Sequence, residues 1–207
     1  YIPCGMRLGT SLKTCFLASL AIGLGACASA PESASVIRTV FNPDINGFRN
    51  VLVVSVTGQY ATRASFERQL ATELTRGNVT ATAYYTVIGR NPQLTRDFLE
   101  DAIAARGFDA VVFTRLKGQE QEDLAPGRPV GPAFDLFFYD YAELSRDNAI
   151  REAAAHTFVT ELYSAELRQK VWAIETLSTD KPTVEALIEE QVFTIAGQIQ
   201  QDGMLGR

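Results

Sequence analysis

Cysteine is scarce in this chain and confined to one end: three in 207 residues, at Cys4, Cys15 and Cys27. No disulfide framework can be built beyond Cys27, so the body of the fold must be held by its core. Histidine occurs once, at His156, which excludes His-rich metal sites and gives any histidine-based catalyst no second imidazole. No apolar run reaches the ~20 residues that a membrane-spanning helix needs. Basic residues are the minority, 19 Lys and Arg against 24 Asp and Glu. A surface of that sign is repelled by phosphate backbones, so nucleic acid is not an expected partner. The glycine-rich phosphate loop, the dinucleotide fingerprint and the Gly-x-Ser-x-Gly elbow are also missing.

The first distinctive feature present is an address. From Met6 the chain reads MRLGTSLKTCFLASLAIGLGACASA, with Arg7 and Lys13 as a positive region and Phe16 to Leu24 as a short apolar one. That order and length are those of a secretory signal. Residues Tyr1 to Gly5 precede the expected start at Met6. The run Leu24, Gly25, Ala26, Cys27 resembles the lipobox of bacterial lipoproteins, in which an aliphatic and two small residues precede a cysteine that is diacylated and becomes the new N-terminus. The resemblance implies cleavage after Ala26 and lipid on Cys27. Removing residues 1–26 takes two basic and no acidic residues, leaving 17 against 24 and a net charge of −7. Acyl chains contribute ~0.8 kcal/mol per buried methylene, so an acylated Cys27 would tether the protein to a membrane without a spanning helix. Ala28 stands where some such lipoproteins carry the Asp that retains them at the inner membrane, which favours the outer membrane, facing the periplasm.

Residues 27–47 are expected to form the anchored N-terminus and a flexible tether, because ASAPESAS is small and polar and NPDING is turn-rich. A single domain is then expected over 48–207, long enough to bury roughly two-thirds of its unfolded surface. VLVVSV at Val51 to Val56 reads as a strand covered on both faces. A helix follows from about Arg63 to Arg76, capped at Thr62, with Phe66, Leu70 and Leu74 on one stripe and Gly77 past its end. VTATAYYTVI, Val79 to Ile88, reads as a second strand. Thr95 caps the next helix, Leu94 and Leu99 form a hydrophobic staple, and Gly107 ends it. DAVVFTRL gives a third strand, and β-α-β-α-β with short links implies parallel pairing. The Gly- and Pro-rich loop 118–133 leads to the strand-like FDLFFYDYAEL. HTFVTELYSAEL and KVWAIETLS then pair as a hairpin through Glu166 to Lys170. A last helix is expected from about Pro182 to Gln201, capped by Asp180 or Thr179, with Val184, Leu187, Ile188, Val192, Ile195 and Ile199 on one face. The fold class is therefore α/β with α+β character in its second half: a mixed sheet, an antiparallel meander and a C-terminal helix, with helices on both faces.

Chemistry is harder to find. His156 begins a strand with no ligand or carboxylate cluster beside it in sequence, the signature of an ordinary strand-end residue. Gly58 and Arg63, at the turn after the first strand, could hold an anion on helix amides, though any such turn looks alike. Asp135 and Asp140 fall on opposite strand faces, and Glu120, Glu122 and Asp123 lack the spacing of a calcium loop. No catalytic residue, metal site or cofactor is assigned. Tyr139 and Tyr141 share one strand face, with Tyr163 and Trp172 on neighbouring strands, and an exposed patch of such rings would recognise a partner.

Several stretches together resemble a group of bacterial, periplasm-facing lipoproteins without an assigned activity: NVLVVSVTGQYATRASFERQLATELTRGNVTATAYY, LEDAIAARGFDAVVFTRL, FFYDY and ELYSAELRQKVWAIETLS. More loosely, the arrangement is similar to the α/β domains of the Tol system's periplasmic protein N-terminus and of lipoproteins that activate penicillin-binding proteins. The resemblance implies a non-catalytic envelope module that binds a protein or an envelope polymer, with Tyr139, Tyr141 and the 118–133 loop as contacts. Two other readings stand beside it: a small-molecule or anion sensor at the carboxyl edge of the strands near Gly58 and Arg90, and a hydrolase whose site is assembled in space.

Overall fold

The computed structural model describes residues 35–56, 59–88, 95–117, 155–179 and 181–206. In chain order these form β1 (Ser35–Val40), β2 (Asn50–Val56), α1 (Tyr60–Leu74), β3 (Thr80–Ala83), α2 (Tyr84–Ile88), α3 (Arg96–Arg106), β4 (Ala110–Lys117), β5 (Ala155–Ser164), β6 (Gln169–Thr179) and α4 (Val184–Gln201). The strands make one six-stranded sheet in the order β1-β6-β5-β4-β2-β3. β2 runs parallel to β3 and to β4, while β4-β5, β5-β6 and β6-β1 are antiparallel. The fold is thus the mixed α/β sheet expected, a parallel half joined to an antiparallel one.

β2 is the axis of this arrangement. Val51 to Val56 are all buried because helices cover both faces. Val51 and Val53 pack with Phe66, Leu70 and Leu74 of α1 and with Ile188, Val192 and Ile195 of α4. On the opposite face Leu52, Val54 and Val56 pack with Leu99 and Ala102 of α3, with Tyr84 of α2 and with Phe113 and Tyr163 of the sheet. The helix caps follow local chemistry. Thr95 Oγ1 accepts from the Phe98 amide at 3.4 Å, and Gly107 closes α3 in the left-handed conformation at φ 62°. At the amino end of β2, the Asp109 carboxylate accepts from the amides of Arg49 and Asn50. There the chain's last residues return: Leu205 bridges Phe48, and the Gly206 amide donates to Phe48 O at 2.8 Å.

Five expectations need correction. The sheet takes in residues upstream of the boundary expected at Phe48, because the β-branched VIRTV run pairs with the outer edge of the eleven-residue β6 from Ser35↔Leu177 to Val40↔Trp172. The strand expected over Val79 to Ile88 stops at Ala83, and Tyr84–Ile88 turns helical; the Tyr85 amide is taken by the Glu67 carboxylate at 2.9 Å, not by a neighbouring strand. α1 begins at Tyr60 after Gln59, so Thr62 lies inside the helix. α4 is capped by Thr183, whose Oγ1 accepts from the Ala186 amide at 3.1 Å, since Thr179 still belongs to β6. The β5-β6 turn is Ala165 to Arg168, with Arg168 at φ 51° and Lys170 already paired with Tyr163. Leu94, the outer half of the expected staple, and FDLFFYDYAEL lie outside the described residues.

Two substitutions test this account by urea denaturation. Thr183→Ala should cost about 1 kcal/mol through the lost cap. Leu99→Ala, at a site with no solvent exposure, should cost roughly 2–5 kcal/mol through the cavity it leaves. Equal, near-zero losses would contradict the assigned roles of both residues.

Candidate functional site

Open α/β sheets bind ligands outside the carboxyl ends of their parallel strands. A group of polar side chains lies at that end of β2 and β3. α1 contributes its buried stripe there: Arg63, Phe66, Glu67, Leu70, Ala71 and Leu74 recur at helical spacing, so an arginine and a glutamate enter the core one turn apart. Glu67 has no exposed surface. Its Oε1 accepts from the Ser55 amide at 3.1 Å and its Oε2 from the Tyr85 amide at 2.9 Å. Arg63 Nε lies 3.9 Å from Glu67 Oε1, too long for a hydrogen bond, and its guanidinium sits 5.5 Å from the centre of the Tyr60 ring. Among the described residues, Arg63 Nε and the Tyr84 hydroxyl are buried without a hydrogen-bond partner.

Burial pushes the Glu67 carboxyl up to about 7, against the pull of the two amides and of Arg63. Burial likewise raises the Tyr84 hydroxyl well above its ordinary value, so it stays protonated. A carboxyl titrating near neutrality suits acid-base chemistry. Here, however, both oxygens are engaged by backbone amides and the side chain is fully buried. The arrangement acts as a latch that fixes α1 to the end of β2 and to the start of α2.

A second charged group lies on the other face of the sheet. Glu161 of β5 is buried and accepts from Lys170 Nζ and, at 2.8 Å, from the Tyr163 hydroxyl, with Arg115 Nη2 at 3.9 Å. Lys170 Nζ lies 5.7 Å from the centre of the Phe41 ring and 5.8 Å from that of Tyr163, within cation-π range. Arg63, expected from the sequence to hold an anion beside Gly58, is instead buried in α1 one turn from Glu67. Glu67 and the Glu161 group were missed in the sequence, where a charged residue in phase with an apolar stripe was their only signal.

The residues singled out from the sequence are dispersed. His156 is half-buried, pairs with Ser178 across the β5-β6 ladder and touches Phe158, ring centres 6.4 Å apart; no carboxylate bonds it among the described residues. Tyr163 and Trp172 are fully buried and belong to cores on opposite faces of the sheet, so neither contributes to an exposed aromatic patch. The Trp172 indole N–H donates to Asp202 at 2.8 Å. Leu24, Gly25, Ala26, Cys27, Gly58, Arg90, Tyr139 and Tyr141 lie outside the described residues. Among those described, no three His, Cys, Asp or Glu side chains group to hold a metal, and no helix is long and apolar enough to cross a membrane.

The latch makes a prediction with a definite sign. Glu67 binds its proton more tightly in the fold than in the unfolded chain, so its favourable effect on stability is fully present below about pH 4.5 and is lost as the pH rises through about 7. The full swing is about 3 kcal/mol. In Glu67→Gln that slope disappears, while a constant cost enters because the amide NH₂ meets a backbone donor. Urea midpoints across this pH range should show the variant gaining on the wild type as pH rises. A constant difference would mean that Glu67 does not titrate there.

The chain matches no protein-family profile and no curated protein sequence. Among solved structures it is similar to the PelC dodecamer subunit from Paraburkholderia phytofirmans, at 11% identity and a TM-score of 0.44, over 79% of this chain and 96% of that one. It is also similar to the lipoprotein GNA1162 from Neisseria meningitidis, at 12% identity and a TM-score of 0.37, over 74% of this chain and 99% of that one. These are weak likenesses in the course of the backbone, and they assign no role to any residue above.

Proposed function

We propose that the protein is a lipid-anchored envelope lipoprotein whose α/β domain serves as a non-catalytic binding or accessory module for a protein or envelope polymer. The observation that carries this reading is the N-terminal pattern: a basic region, a short apolar run and Leu24-Gly25-Ala26-Cys27. The start of the sheet agrees with it, since only seven residues separate Cys27 from the start of β1 at Ser35. Lipid on Cys27 would hold the domain at a membrane surface, on this reading the periplasmic face of the outer membrane. The sealed state of Glu67 supports a module without acid-base chemistry at the strand ends. Tyr139 and Tyr141 remain the proposed partner contacts.

Radiolabelled palmitate should mark the wild-type chain and not Cys27→Ser, and the variant should leave the membrane fraction. A Cys27→Ser chain that stays wholly with membranes contradicts the anchor. In-cell crosslinking of the lipidated protein should capture a reproducible partner that is lost in the Tyr139→Ala, Tyr141→Ala double variant. Capture unchanged by that pair would remove the two tyrosines from the contact.

A further inference from the structure

Exposed apolar surface is concentrated on one edge of the sheet. Nine large apolar side chains are exposed among the described residues, and five of them, Val36, Ile37, Val40, Phe41 and Leu177, belong to β1, the residue after it and the facing end of β6. Ile37 is 65% exposed and Phe41 49%. The strip is apolar on both faces of the strand: Val36 and Val40 fall on the side of α1 and α4, and Ile37 with Leu177 on the side of α3. Among the described residues nothing pairs with the outer edge of β1. A bare apolar edge strand invites association unless something covers it.

Its place in the chain indicates what does. The strand begins eight steps after Cys27, and an extended chain of that length spans at most about 28 Å. A lipid on Cys27 therefore holds the start of β1, itself about 20 Å long, within that distance of the bilayer that receives it. Charge points the same way. Ser35 to Phe41 contain no acidic residue and one basic one, Arg38, on a chain whose processed net charge is −7. Arg38 is half exposed and pairs with Asp202, and Lys170 stands over the Phe41 ring at 5.7 Å. β1 thus combines exposed apolar side chains with no acidic one of its own, Glu175 of β6 being the carboxylate opposite Ile37.

We infer that the β1 edge, through Ile37, Val40, Phe41 and Leu177, lies along the phospholipid headgroup layer of the membrane that holds Cys27. The inference rests on the lipid anchor proposed above. The strip sits at the hydrated interface and not in the hydrocarbon, because the open edge of β1 still needs water or headgroups for its backbone amides and carbonyls. Apolar side chains dip toward the acyl boundary while the half-exposed Arg38 stays level with headgroup phosphates.

The lipidated full chain offers a direct test, since processing removes Cys4 and Cys15 and acylation consumes Cys27. Ile37→Cys and, on the distant exposed face of α4, Phe193→Cys would each carry the only free thiol. Both would be labelled with an environment-sensitive fluorophore in phosphatidylethanolamine-phosphatidylglycerol vesicles containing nitroxide-labelled lipid. The Ile37 label should be quenched several-fold more than the Phe193 label, and Leu177→Cys should follow Ile37. Equal quenching at Ile37 and Phe193 overturns the inference while leaving the anchor intact. Shielding of Ile37 from a soluble quencher without quenching by lipid also overturns it, in favour of a second copy on the β1 edge. A labelled chain that fails to float with vesicles refutes the anchor and the inference together.

Discussion

The requirement on which the rest of the structure depends is that β2 be covered on both sides. Its residues from Val51 to Val56 have almost no contact with water, and full burial of such side chains is worth roughly 1.5–3 kcal/mol each. One helix layer cannot supply that cover. α1 returns the chain from β2 to the neighbouring β3, α3 carries it back to β4 on the opposite face, and α4 completes the layer beside α1. The antiparallel half extends the sheet from β4, and its long β6 ends in an edge that β1 then occupies.

The polar groups inside this frame are placed where the chain changes course. At the end of β2 the Glu67 carboxylate satisfies two amides that the sheet leaves without partners, Ser55 where the strand ends and Tyr85 where the backbone turns from strand to helix. An unpaired buried amide costs about 1–3 kcal/mol, so one buried carboxylate that serves two of them offsets part of its own desolvation. Glu161 plays a comparable part on the opposite face, drawing Lys170 and the Tyr163 hydroxyl together across the β5-β6 ladder.

What the sequence reveals tracks how local each cause is. The double-sided strand at Val51, the Thr95 and Gly107 caps, the hairpin and the apolar face of α4 rest on spacing within a few residues, and all are legible. β1 is not, because a run containing Ser35 and Arg38 becomes a strand only when the edge of β6 is there to receive it. The turn to helix at Tyr84 is also hidden, since its cause is Glu67, eighteen residues away from Tyr85. Glu67 is visible only as a charge in phase with Phe66, Leu70 and Leu74, and Arg63, read from the sequence as an anion holder, is drawn into the same buried stripe. Tyr163 and Trp172 show the converse: aromatic character announces weight in the core as readily as recognition.

The two ends of the described domain have a mechanical consequence. Ser35 enters beside Leu177, level with the carboxyl ends of β2 and β4, whereas Gly206 is held by Phe48 at the amino end of β2. Tension between these points runs along the strands, so the β1-β6 ladder is loaded in shear and its bonds must yield together rather than unzip one after another.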